Sequence, residues 1–243
     1  TDSKVYLTCR SAKFNLAAMP VSDYPELPGL PEVSGTVDGA AFAHAVSQVI
    51  IAASKDDTLP ILTGVRMEID GPHMTLLATD RYRLAMRELT WEPADQGLQT
   101  AALIKARTLN EVAKTLGGAG QLSIALSGSH ELIGFESGGR RTTSLLVDGE
   151  YPKIRSLFPD QTPIHAVVRT GELVEAVRRV SLVAERNTPV RLAFVQGQLT
   201  LDAGTGEDAQ ANEVIEAQLE GEDITVAFNP CLLYTSPSPR DRT

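Results

Sequence analysis

With 243 residues, 42% of them hydrophobic and 22% charged, the chain can bury a real core as one large or two ordinary domains. No apolar run approaches the roughly 18 residues of a membrane span. The first residues do not have the form of a signal peptide, and two cysteines without metal-ligand or disulfide-framework spacing, Cys9 and Cys231, fit a reducing cytosol. A net charge of −9 argues against a generally basic, phosphate-binding surface, although local distribution and not the total decides.

In chain order, the first regular element predicted is a helix over 38–54. Asp38 is available as N-cap, and Phe42, Ala45, Val46, Val49, Ile50 and Ala53 form one apolar stripe at helical spacing. Strands are predicted at about 60–70, 73–80 and 82–90. A short second helix follows, with Thr108 and Glu111 as a capping-box pair, Leu109, Val112, Ala113 and Leu116 as its stripe, and Gly117 as its stop. Further strands fit 121–126, 131–136 and 140–147, with turns at Ser127-Gly128 and at Ser137-Gly138-Gly139. A unit of roughly eight strands and two helices in this alternation is α+β, with antiparallel sheet and both helices on one face.

The chain then repeats itself. The segment from Phe42 to Ala53 lies without a gap over Leu173 to Ala184, 131 positions further on, so that Ala45, Val46, Val49 and Ala53 recur as Ala176, Val177, Val180 and Ala184. A second echo follows, Val65 to Leu76 over Val190 to Leu201, each turning at a glycine, Gly71 or Gly197. A third runs backwards: Phe14 to Leu16, Asp23-Tyr24-Pro25 and Leu27-Pro28 resemble Thr143 to Leu145, Glu150-Tyr151-Pro152 and Phe158-Pro159. In order, 1–31 match the end of a unit, 32–159 make a whole unit, and 160–230 match the beginning of one. Residues 231–243, with Pro237 and Pro239 and no helical period, look like a non-native, adapter-derived tail.

Catalytic signals are weak. His44, His73, His130 and His165 are scattered without ligand spacing, so no metal site is expected. Leu126-Ser-Gly-Ser-His130 is not a nucleophile elbow and reads as a hairpin turn. Asp202, Glu207 and Asp208 read as solvated loop acids. Two features hold more. The turn from Ala78 to Ala85 packs Asp80, Arg81, Tyr82 and Arg83 between strands, either as a plain Asp-capped hairpin or as a binding turn. Lys105, Arg107 and Lys114 cluster at the second helix, and Arg178 and Arg179 lie on the repeated one. They form either a solvated polar face or a basic surface on an acidic protein.

The motif Ala78-Thr-Asp-x-x-Arg-Leu-Ala85 within a repeated unit of this size, together with Asp148-x-Glu-Tyr-Pro152, resembles the bacterial replicative sliding clamps, the beta subunits of DNA polymerase III. The resemblance covers 1–230, from the end of a first clamp domain through a complete second and into a third. It implies the DNA-clamp fold, with sheets outside and two helices per domain lining an inner face. It also implies a ring of two subunits around double-stranded DNA, a non-catalytic tether for the replicative polymerase catalytic subunit, and a cytoplasmic location. A clamp loader and other clamp-motif proteins are the remaining partners implied; no cofactor and no membrane are expected.

Carried over position by position, the resemblance implies a partner-peptide pocket of Leu62, Thr79, Arg81, Tyr82, Arg83, Leu84, Pro152, Ser156 and Leu157. Ser156 stands where other members can carry a longer basic side chain, and one wall of the family's pocket comes from its extreme C-terminus. For DNA the implied contacts are Lys55, Lys105, Arg107, Lys114, Arg178 and Arg179. The −9 charge keeps a repeat-built interaction scaffold without DNA binding as the alternative. A hydrolase or transferase is disfavoured because no ordered acid–base or nucleophile set is present.

Overall fold

The computed structural model describes residues 4–25, 29–118, 120–128, 131–184, 188–204 and 209–234. Leu27-Pro28, His130, Glu207, Asp208, Pro237 and Pro239, singled out above, lie outside the described residues. The described residues open with an exposed hairpin, β1 (Lys4–Cys9) and β2 (Ala12–Ala17), whose strands pair only with each other among the described residues.

The middle unit runs β3 (Val33–Asp38), α1 (Gly39–Val49), β4 (Gly64–Asp70), β5 (His73–Thr79), β6 (Leu84–Thr90), β7 (Glu92–Pro93), β8 (Gln99–Lys105), α2 (Ala106–Leu116), β9 (Gln121–Leu126), β10 (Leu132–Ser137) and β11 (Arg140–Leu145). Its strands form a four-stranded sheet, β6-β5-β4-β8, and a five-stranded one, β11-β10-β9-β3-β7. Every pairing is antiparallel. The α1 stripe of Phe42, Ala45, Val46 and Val49 is buried with Leu109, Val112 and Leu116 of α2, and both helices share one core with the inward residues of both sheets. Phe42 reaches Phe135 on β10, with ring centroids 6.1 Å apart. Alternation along the strands divides the chemistry. Leu76, Ala78, Ala102 and Ile104 face this helical core, while Leu77 and Leu103 point to the other face.

The third unit runs β12 (His165–Val167), α3 (Thr170–Val180), β13 (Val190–Val195), β14 (Gly197–Ala203), β15 (Ala211–Glu220), β16 (Ile224–Phe228) and α4 (Pro230–Tyr234). Its sheet order, β12-β15-β14-β13-β16, reproduces β6-β5-β4-β8 in β15-β14-β13-β16. The repeat is exact in its helix bounds: α1 and α3 begin and end 131 positions apart, and each is followed by a single 3-10 turn, at Ile50–Ala52 and Ser181–Val183. Each two-residue hairpin turn also holds a glycine, Gly71 at its first position and Gly197 at its second. Gly71 (φ 54°) and Gly197 (φ 88°) are both left-handed, a conformation glycine adopts without a Cβ penalty.

Several local expectations are corrected. Residues 60–63 form a 3-10 turn, not strand, because Pro60 has no N–H for a ladder and suits the first position of a turn of helix. Helix α2 begins two residues before the supposed capping box. Strand β8 runs straight into it through Lys105, Thr108 becomes an interior residue, and Glu111 instead meets Lys114 at 3.3 Å. Gly117 ends α2 in a right-handed conformation, so it is no left-handed cap. Its role is clearance: a Cβ there would stand 2.5 Å from the Ala43 Cβ on α1. After β16 a helical turn does form, capped by Asn229, whose side-chain oxygen accepts from the Cys231 amide at 2.9 Å. Leu233 packs on the core of the third unit, where the lack of helical period predicts no helix. By contrast Asp38 caps α1 as expected, accepting from the Ala41 amide at 2.8 Å.

Candidate functional site

The face of β6-β5-β4-β8 turned away from the helices carries a second, smaller apolar cluster. Leu77 and Leu103 project from the sheet, and the segment after β11 folds back over them, burying Tyr151 and Ile154. Two hydrogen bonds fasten it: Val147 N donates to the Leu103 carbonyl at 2.8 Å, and Thr79 N donates to the Tyr151 hydroxyl at 3.0 Å. Burial pushes the Tyr151 phenol up to about 12, against a smaller opposing effect of that bond from Thr79. Gly149 permits the fold-back. It has φ 131°, and a Cβ would stand 2.7 Å from the Ile61 side chain.

Beside this cluster lies a cavity of about 480 Å³, lined by Thr58, Leu59, Pro60, Ile61, Leu62, Thr79, Arg81, Leu84, Glu150, Pro152, Ile154 and Leu157. Its base is firm and its mouth apolar: Leu62 is 7% exposed, whereas Leu157 at the edge is 64% exposed. One wall is the turn between β5 and β6. Asp80 holds it, one carboxylate oxygen accepting from the Tyr82 amide (3.0 Å) and the Arg83 amide (3.1 Å), the other from Arg83 Nε (2.9 Å). The Thr79 hydroxyl accepts from Arg81 N (3.1 Å) and donates to the Arg83 carbonyl (2.9 Å). A second wall comes from residues 56–63. The Asp56 carboxylate accepts from the Thr58 hydroxyl (2.7 Å) and amide (2.9 Å), and these bonds hold it below its ordinary carboxyl value, with a smaller contribution from the charge of Arg81.

Of the nine pocket residues named from the sequence, six line this cavity: Leu62, Thr79, Arg81, Leu84, Pro152 and Leu157. Tyr82, Arg83 and Ser156 do not. Tyr82 is 83% exposed beyond the rim, Arg83 is engaged by Asp80 as part of the turn, and Ser156 donates to the Lys153 carbonyl at 3.3 Å. The two readings of the Ala78–Ala85 turn therefore coincide, since the turn is Asp-capped and also walls a cavity. Sequence reasoning missed Thr58, Leu59, Pro60, Ile61, Glu150 and Ile154. The signal available was Asp56-x-Thr58-x-Pro60, a side-chain-capped turn leading into a proline-started turn of helix and an apolar run.

The six residues named for DNA fall into two groups. Lys55 lies in the loop beyond α1, Lys105 stands at the N-cap position of α2 without a capping side-chain bond, and Arg107 lies in the first turn of α2; all three are exposed, and none forms an ion pair among the described residues. Lys114 is paired with Glu111, Arg178 with Glu175 at 3.0 Å, and Arg179 with Glu213 at 2.5 and 3.1 Å. The Arg179 bond draws the Glu213 carboxyl below its ordinary value and raises Arg179 in turn. Helices α1, α2 and α3 together carry four cations against three carboxylates, so their faces are near neutral on a chain of net charge −9.

The family model for the DNA polymerase III beta subunit, central domain, matches residues 36–153, and that for its C-terminal domain matches 155–235. The chain is 67% identical over 217 residues to the beta sliding clamp of Micrococcus luteus, covering 89% of this chain and 70% of that one. It is 53% identical over 238 residues to the beta sliding clamp of Streptomyces coelicolor, covering 97% and 63%. The crystal structure of the Bacillus subtilis DNA polymerase sliding clamp superposes with a TM-score of 0.84 at 26% identity, covering 96% of this chain and 62% of that one. The chain thus spans between 62% and 70% of the length of these relatives. With both consecutive domain models matched and a relative at 67% identity, the chain belongs to the bacterial beta sliding clamp family, the beta subunits of DNA polymerase III.

Proposed function

We propose that this chain is part of a non-catalytic processivity factor of DNA replication, which encircles double-stranded DNA as a ring of two complete subunits and tethers the replicative polymerase to its template in the cytoplasm. The effect is one of effective concentration: a topologically linked enzyme stays near the primer end instead of diffusing away. In this reading 32–159 and 160–230 are consecutive clamp domains. Their helices face DNA and their sheets face outward.

The observation that carries the proposal is the apolar cavity between the β5–β6 turn and the Pro60 segment. It is a concave, preformed site on the outer side of the sheet, lying on the opposite face from the helices. The polymerase catalytic subunit, the clamp loader and other clamp-motif proteins would insert aliphatic and aromatic anchors there, over Leu62, Leu84 and Leu157. Lys55, Lys105 and Arg107 supply free cations for sequence-independent phosphate contact.

The test is retention of a full-length clamp carrying this sequence on primed circular DNA, with release after linearisation and lengthened polymerase runs. Failure to stay on circular DNA would remove the encircling role. A peptide-binding scaffold without DNA binding is favoured locally by the Arg179–Glu213 pair, which neutralises one helix cation. It is excluded if Lys105→Gln and Arg107→Gln weaken duplex binding.

A further inference from the structure

Arg81 has a backbone conformation that its residue type does not favour. Its φ is +80°, in the left-handed region where a Cβ meets the following carbonyl and glycine is the usual occupant. The turn does not need an arginine there. Its geometry is fixed by the Asp80 carboxylate, by the Thr79 hydroxyl and by the Arg81 backbone amide, none of which involves the Arg81 side chain. The guanidinium lies on the cavity wall and forms no ion pair among the described residues; the Asp56 carboxylate, which takes both Thr58 bonds on one oxygen, feels its charge only as a minor influence. A strained residue whose side chain contributes nothing to its own turn points to a function at the site it lines. The other charge in the lining is Glu150, so Arg81 is the one cation of a cavity lined mainly by apolar side chains among the described residues.

We propose that Arg81 is a specificity-determining residue of this cavity: among peptides with apolar anchors, its guanidinium selects those that carry a carboxylate next to the anchor. The inference rests on the reading of the cavity as a peptide-docking site. A guanidinium binds a planar carboxylate through two parallel N–H···O bonds, which a lysine or a neutral side chain cannot reproduce. Glu150 would repel the same carboxylate, so the preference should vanish or reverse once Arg81 is neutral.

The experiment titrates the 243-residue chain with fluorescein-labelled decapeptides that share one Leu-Phe anchor pair. Three carry Asp, Asn or Lys beside the anchor and an amidated end; a fourth carries Asn and a free terminal carboxylate directly after the anchor. The chain should bind the Asp peptide about two- to five-fold more tightly than the Asn peptide, as expected for a solvent-accessible ion pair. That ratio should shrink between about 0.05 M and about 0.5 M salt. In Arg81→Gly and in Arg81→Asn, both of which tolerate left-handed backbone, the ratio should fall to one or below while the Asn peptide still binds. A gain confined to the fourth peptide would identify chain ends, not acidic side chains, as the carboxylate source. An Asp-to-Asn ratio unchanged in both variants overturns the role of Arg81. Binding that is absent, or that survives Leu84→Asp, overturns the docking reading beneath it. Arg81→Gly should also melt at a higher temperature than the parent, and a lower melting point would contradict the strain.

Discussion

The Tyr151 hydroxyl accepts a hydrogen bond from the Thr79 backbone amide at 3.0 Å, joining two segments 72 positions apart in the chain. Tyr151 is 3% exposed and Thr79 is buried, so the bond is sealed from water. It ties the fold-back segment, which supplies Pro152, Ile154 and Leu157, to the strand end that supplies Thr79 and Arg81. The two halves of the cavity are held in register through this contact.

Tyr151→Phe should therefore cost about 1–3 kcal/mol, because the Thr79 amide would be left buried without an acceptor. Urea unfolding measures this directly. The pH dependence follows from the raised phenol. With an ordinary value of 10.0 and a folded value of about 12, the folded state holds its proton where the unfolded state has lost it. Stability from this group is complete below pH 10 and declines as pH rises from 10 toward 12. The Tyr151→Phe variant should lack that part of the alkaline loss.

Gly117→Ala separates two opposed effects. Alanine is favoured over glycine in a helix by about 1 kcal/mol. Here, however, the new methyl would meet the Ala113 carbonyl oxygen of its own last turn at 2.4 Å and the Ala43 Cβ at 2.5 Å; relieving the first distorts the end of α2, and relieving the second shifts α1 against α2. Overpacking of this kind costs about 1–3 kcal/mol. A net loss of stability on urea unfolding is expected, and a more stable Gly117→Ala protein would show that the helices are further apart.

The ion pairs of the helix faces predict unequal roles in DNA binding. Arg179 is held closely by Glu213 and lies 4.0 Å from Glu175, so Glu213→Gln should release it in part and steepen the slope of log affinity against log salt by up to about 0.9. Lys105→Gln and Arg107→Gln should each flatten it by a similar amount. Duplex-DNA titrations across a salt series with a full-length clamp carrying these changes read all three.

Much of the architecture was legible because repeats and amphipathic stripes are local signals. The stripe shared by Phe42–Ala53 and Leu173–Ala184 anticipated two helices that are offset by the same 131 positions at both ends, although α1 stops at Val49 and a 3-10 turn covers Ile50–Ala52 of the expected 38–54. Strand β3 was not named, having no alternation strong enough to mark it, and its pairing with β9 reaches across about 90 residues. Lys105 passing from strand into helix, and Gly117 serving clearance between helices, are tertiary facts that capping rules do not reach. The cavity was half legible. Residues of the Thr79–Leu84 turn carried the family motif, whereas Thr58 to Ile61 join the site only because the chain folds beside that turn. No sequence signal marks a left-handed arginine at 81, since the residue type argues against it.

Docking of partner peptides in the cavity walled by Leu62, Leu84 and Pro152 is open to a single titration. A labelled decapeptide carrying a Leu-Phe anchor pair is titrated against the chain and against Leu84→Asp, with circular dichroism recorded on both. Saturable binding by the chain and a loss of about tenfold or more in the variant are expected, since a carboxylate would replace an apolar contact at a partly buried position. Equal affinity in two proteins with the same circular dichroism would contradict docking in this cavity.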